Sequence, residues 1–183
     1  MLPDPLHPAV VHFPIAFAFL LPLAAIVSLW WGQATRRERS AWVPVLVLLV
    51  FTLVGGLVAK ESGEETHERV EKVMPHEYIE AHEEKAEGFL VATWVGLGFG
   101  LLGLLGGRWG LTARWFFVIT AIVMALQVTW AGKLGGALVY EHGAASAYVP
   151  QSVSPQGMDD SAGMDEDGSD LGTQPEGTED HDH

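Results

Sequence analysis

Four long apolar blocks decide what this chain can fold into: roughly Ala9 to Trp31, Ala41 to Ala59, Gly88 to Gly106 and Trp115 to Tyr140. A helix crosses a bilayer with about 20 mostly apolar residues, and each block meets that length. A water-soluble domain of 183 residues has no interior large enough to hide all four. Lipid offers a bare backbone no hydrogen-bond partners, so spanning segments are helices or closed barrel strands, and runs this long without alternation exclude strands. The expected fold is an all-α membrane protein, a four-transmembrane-helix bundle over residues 1–148 with a tail over 149–183.

The net charge of −13 belongs to two segments. Ten of the 23 acids lie between Glu61 and Glu87, and ten more between Asp159 and Asp182. The first segment is rich in Glu, Lys, Arg, Ala and His, with a single proline at Pro75, so it reads as two helical arms. Helix two runs on to about Val73, and Pro75, a favoured first-turn residue, starts the helix that descends as span three. Glu65 with Arg69 and Glu68 with Lys72 have the i,i+4 order that supports an exposed helix. The second segment is rich in Gly, Ser, Asp and Pro and reads as a disordered acidic tail. Its ending, Asp180-His181-Asp182-His183, reads as part of that solvated tail.

The ten Lys and Arg are dispersed and make no basic patch suited to a nucleic-acid backbone, so nucleic acid is not an expected partner. The chain has no cysteine, which removes disulfides, thiolate metal sites, iron–sulfur ligation and c-type haem attachment together. No nucleophile elbow, His-Glu-x-x-His element or Gly-rich phosphate loop is present, so a hydrolytic enzyme is disfavoured.

Arg36, Arg37 and Arg39 follow span one, and Arg108 and Arg114 lie between spans three and four. Short loops enriched in Lys and Arg face the cytoplasm. Trp30, Trp31, Trp42, Trp109 and Trp115 fall near the same boundary, as an interfacial aromatic belt would. The expected location is a bacterial inner membrane, multi-pass, with both termini and the acidic arms outside. The start has no basic n-region, so no cleaved signal is expected and helix one is retained.

All six histidines before the tail, His7, His12, His67, His76, His82 and His142, then fall on the outer side. His82 heads a stripe of small residues, Ala86, Phe89, Thr93, Gly96, Gly100 and Gly103, of the kind that lets helices pack closely. His142 leads back through Val139, Gly135, Gly132 and Val128. His12 leads Ala16, Phe19 and Leu23, one turn into an apolar segment where an ionisable group is costly. Thr52, Gly56, Ala59 and Gly63 form a matching stripe on helix two. His12, His82 and His142 are therefore the expected core of a cofactor site, with His7, freed by Pro8 at the helix start, as a fourth member. His67 and His76 sit among glutamates on an exposed arm and read as a solvated face. His76 and His82, six residues apart, point about 120° from each other and are not expected to pair.

The opening Leu6-His7-Pro8-Ala9-Val10-Val11-His12-Phe13-Pro14-Ile15-Ala16 resembles an uncharacterised bacterial membrane family, domain of unknown function 2231. So do the Gly-containing second span, His82-Glu83-x-x-Ala86, and Gly135-Gly136-x-Leu138-Val139-Tyr140-x-His142-Gly143. The resemblance covers roughly residues 5 to 145 and implies a four-helix membrane protein. Some members are fused to Rieske-type iron–sulfur domains, which implies a redox setting, with such a protein as a partner and an electron-transfer or accessory role rather than a stand-alone enzyme. Similarity to four-helix b-type cytochromes makes haem b the expected cofactor. Two imidazoles on different helices would face each other across the porphyrin, His82 with His12 or His142, and Gly56, Gly63, Gly132 and Gly135 would give clearance. The alternative is a non-haem metal, Zn, Cu or Fe, held by His12, His82 and His142 with Glu83, or with Glu65, Glu68 or Glu141. A third reading is a membrane docking or assembly subunit without any cofactor.

Overall fold

A computed structural model describes residues 7–73 and 75–148, apart from the side chains of Thr66 and Glu68. The expected acidic tail, with His181 and His183, and the side chain of Glu68 lie outside the described residues. A short helix α1 (His7–Val10) runs through a turn at Val11 into α2 (His12–Thr35). The helices α3 (Glu38–Val70), α4 (His76–Leu102) and α5 (Gly107–Tyr140) follow, then a 3-10 turn over Ala144–Tyr148. Four helices are long and apolar enough to cross a membrane, so the fold is the all-α, four-span protein that the apolar blocks require.

The break at Val11 has a local cause. Pro14 brings no N–H for the carbonyl of Val10, and its ring crowds that carbonyl. The chain carries on as a helix through Val11 N–H to His7 O and Ile15 N–H to Val11 O. The other connections are tight. α2 ends on Arg36 in the left-handed region, φ 53°, with Arg37 N–H bonded back to Gly32 O at 3.1 Å. α3 stops at Val70, three residues short of the expected Val73, because Glu71 to Val73 form a closing turn. Pro75 does not start α4 but caps it in an extended conformation, φ −61° and ψ 137°, and helix begins at His76. Span three ends at Leu102 rather than Gly106, since Gly103, Gly106 and Gly107 let the chain turn there; Gly107 adopts φ +67°.

The helices pack around a square: α2 against α3 and α5, α3 against α4, and α4 against α5, with α1 laid on α3. We call the end where α3 and α4 meet at Pro75 the arm end, and the opposite one the loop end. The interior is lined by small and medium side chains, including Ala18, Leu21 and Ala25 of α2, Val45 and Leu49 of α3, and Ala121 and Met124 of α5. The stripe on α4 packs inward, with Phe89, Thr93, Gly96, Gly100 and Gly103 all buried. Buried Thr52 and Thr93 return their hydroxyls to carbonyls one turn back, Leu48 and Phe89, so neither is left unsatisfied. Phe19, Leu23, Val47, Val91 and Ile119 face outward, an apolar exterior suited to lipid.

Two sequence expectations need correction. Trp42 is not part of an aromatic belt: it is 1% exposed, donates Nε1–H to Gly100 O at 2.9 Å, and packs edge-on against Phe117. Trp30, Trp31, Trp109 and Trp115 are exposed. His12, with Ala16, Phe19 and Leu23, lies on the exposed side of α2; the buried face is Pro14, Ala18, Leu21, Ala25, Leu29 and Gly32. Both sides of α2 are apolar, and hydropathy cannot tell a lipid-facing stripe from an inward one.

Candidate functional site

Every described histidine lies toward the arm end, where four of them form two groups that use different faces of α4. At 3.6 residues per turn, His76 and Glu83 share one face of α4, and Tyr78 and His82 share another.

The first group bridges the tips of the two arms. His67, in the last turn of α3, holds Glu83 across the gap, Nδ1 to Oε1 2.7 Å. Since the carboxylate only accepts, the proton sits on Nδ1, and Nε2 of the neutral ring is left with a lone pair. That nitrogen lies 3.8 Å from Glu71 Oε2, while the other oxygen of Glu71 is 3.4 Å from His76 Nδ1. The two imidazoles meet edge to face with centroids 5.7 Å apart. A lone pair facing a carboxylate is two acceptors with nothing to share. A proton on Nε2 or a cation between them relieves it, and the two compete for one place.

Donor atoms of His67, Glu71 and His76 lie within 4.8 Å of one another. Around a tetrahedral ion with bonds of about 2.1 Å, donors sit about 3.4 Å apart, so the side chains need close in only slightly. His67 is largely shielded, whereas Glu71 and His76 are about half exposed and free to turn. Two imidazoles and one carboxylate suit zinc, copper or iron. Glu83 behind His67 is the outer carboxylate that commonly fixes a metal-binding imidazole in its tautomer.

The second group is His7 with His82. His7 Nδ1 donates to Ala59 O at 2.8 Å, with Ser62 Oγ at 3.2 Å. His82 Nδ1 donates to Ala131 O at 2.9 Å. The rings stand at 89° with centroids 6.4 Å apart. Each lies close on a glycine: a Cβ on Gly63 would sit 3.3 Å from the His7 ring, and one on Gly135 3.1 Å from that of His82. Here too the Nδ1 proton is committed to a carbonyl, leaving Nε2 of the neutral ring as the lone pair.

The expected centre of His12, His82 and His142 is not assembled as one cluster among the described residues. His82 meets His7. His142 stacks on Tyr78, centroids 3.9 Å apart and planes within 18°. His12 is exposed and has no ring contact or hydrogen bond among the described residues. Glu83, expected beside those three, belongs to His67. Glu65 and Glu141 are exposed. Of Gly56, Gly63, Gly132 and Gly135, the second and fourth touch imidazoles, Gly56 lies under Phe89 and Leu90, and Gly132 meets nothing within 4 Å.

Sequence reasoning passed over the His67, Glu71 and His76 group, although its signal was present. His67 and Glu71 are four apart, His76 and Glu83 seven apart, so each pair shares a helix face, and the turn before Pro75 folds the faces together.

No curated protein and no solved structure matches the chain. Residues 3–147 match the family described as "Predicted membrane protein (DUF2231)", and the chain belongs to that family.

Proposed function

We propose that this protein is a metal-binding membrane protein whose arm-end site takes one divalent transition-metal ion through His67, Glu71 and His76, with Glu83 orienting His67. The observation that carries this is His67 itself: its Nδ1 proton is held by Glu83, and its Nε2 lies 3.8 Å from Glu71 Oε2. The anionic arms raise the local concentration of cations around the site. One oxygen and two nitrogen donors leave a fourth position open to water or a partner's ligand, the pattern of reactive and transfer sites rather than of closed structural ones. Titration of the purified protein with Zn2+ tests this. One ion per chain is expected, with binding lost in His67→Ala and His76→Ala and kept in His12→Ala. Equal binding by all four proteins would remove the reading.

Electron transfer through haem b is a second reading, and it rests on His7 and His82. Two imidazoles ligating one ion from opposite sides at about 2 Å each have ring centres roughly 6 Å apart, and the 6.4 Å separation is of that size. A Rieske-type redox partner and an inner-membrane location with the arms outside belong to the same reading. Visible spectra of the oxidised and dithionite-reduced protein test it: a Soret band lost in His82→Ala supports haem, and a silent spectrum removes it.

A further inference from the structure

The loop end of the bundle carries a site of different chemistry, independent of any metal. A cavity of about 620 Å³ opens there between the α2–α3 and α4–α5 connections, lined by Arg36, Arg37, Glu38, Arg39, Gly106 and Gly107 among others. Its one carboxylate is already engaged: Glu38 Oε2 accepts from Arg114 Nη1 at 3.0 Å. Arg114 is 2% exposed, donates Nε–H to Gly103 O, and lies over Trp42, so its charge is spent inside the bundle. Arg36, Arg37 and Arg39 are left around the cavity with no carboxylate partner among the described residues.

Arg36 is held at some conformational cost, and Arg39 ties the two connections together. Arg36 occupies the left-handed helix-ending position, the only non-glycine residue with positive φ among the described residues, at φ 53°. Glycine is the ordinary residue there, because a Cβ costs about 1 kcal/mol in that conformation. Arg39 reaches across the cavity to the other connection, and a Cβ on Gly106 would stand 3.0 Å from its Nη2. Exposed Trp30, Trp31 and Trp109 lie on the helix ends beside these connections, which sets this end at the level of lipid headgroups.

We propose that this cavity binds the phosphate of an anionic phospholipid headgroup through Arg36, Arg37 and Arg39. Guanidinium pairs phosphate oxygens in a bidentate fork, and three guanidiniums without a carboxylate partner among the described residues favour a headgroup of net negative charge over a zwitterionic one. The cavity stands at the membrane boundary, so a lipid reaches it from the bilayer itself.

The test is thermal unfolding of the full-length protein in neutral detergent micelles, where membrane orientation has no bearing. Phosphatidylglycerol, phosphatidylcholine or inorganic phosphate is added to each of four proteins: the native chain, Arg37→Gln, Arg36→Gly and Arg108→Gln. Phosphatidylglycerol is expected to raise the midpoint of the native chain by about 3–5 °C, with little response to phosphatidylcholine or phosphate. Arg37→Gln and Arg36→Gly should lose most of that rise and Arg108→Gln keep it. Arg36→Gly is the safeguard against misfolding, since without lipid it should unfold at the native temperature or above. An equal response to inorganic phosphate would make this a free-anion site, and an equal rise in all four proteins would reduce it to the general field of a basic loop. Either result overturns the proposal, as does no response to phosphatidylglycerol.

Discussion

Replacing Glu83 by Gln isolates the least conspicuous part of the arm-end site. The amide keeps the size of the side chain and still offers His67 Nδ1–H an oxygen, but removes the charge behind a 2.7 Å contact. Glu83 is not itself placed as a ligand, so the ion would keep both imidazoles and Glu71. Loss of an outer-shell partner of a metal-binding histidine weakens affinity by roughly 10–100-fold. Glu83 is 45% exposed, so water screens part of its effect, and the lower end, about tenfold or about 1.4 kcal/mol, is the expected loss. Competition against a chromophoric zinc chelator reads such a change directly. The profile should be graded: Glu83→Gln weakened about tenfold, Glu71→Gln more, and Glu80→Gln, on the same arm but outside the cluster, unchanged. Affinity unaltered in Glu83→Gln while His67→Ala abolishes binding would refute a role for the Glu83 charge in the site. Equal losses in Glu83→Gln and Glu80→Gln would show that only the charge of the arm matters.

Acidification should weaken zinc binding with a slope approaching a hundredfold per pH unit once protons compete for both imidazoles, because each must be deprotonated to ligate; a flat profile would point to carboxylates alone. Gly110→Ala drives a Cβ into the carbonyl of Leu105, which is backbone and cannot swing aside, and should cost about 1–3 kcal/mol in thermal unfolding. Gly132→Ala, with nothing within 4 Å, should be neutral or gain up to about 1 kcal/mol. Truncation after Pro150 should leave zinc stoichiometry unchanged, whereas a loss would assign ligands to the tail. A cysteine at exposed Glu80 should react with an impermeant thiol reagent outside intact cells and one at Ser40 should not; Ser62 is unsuitable, being buried beneath His7.

The four spans and the inward face of α4 were legible because membrane helices announce themselves by length, and because Gly96 and Gly100 permit contacts a larger residue would block. A Cβ on Gly100 would meet Leu46 at 2.8 Å. The histidines were expected at one end of the bundle, and there the structure brings His67 to His76 and His7 to His82 rather than His12, His82 and His142 together. The stripe that His82 heads does pack inward, whereas His12, expected inward, lies on the exposed side of α2, whose two sides are both apolar. His67 and His76 were set aside because a histidine among glutamates looks solvated when each helix is considered alone. What joins them is the turn over Glu71 to Val73 and the extended Pro75, a three-dimensional fact that helix periodicity does not carry.

X-ray absorption at the zinc edge of the singly loaded, tail-truncated protein tests the central claim most directly, because it reports the donors themselves. The account predicts a four-coordinate shell of nitrogen and oxygen at about 2.0–2.1 Å, with the outer-shell scattering of two imidazoles. A shell of oxygens without imidazole scattering, or the two-imidazole signal persisting in a His67→Ala, His76→Ala double variant, would contradict it.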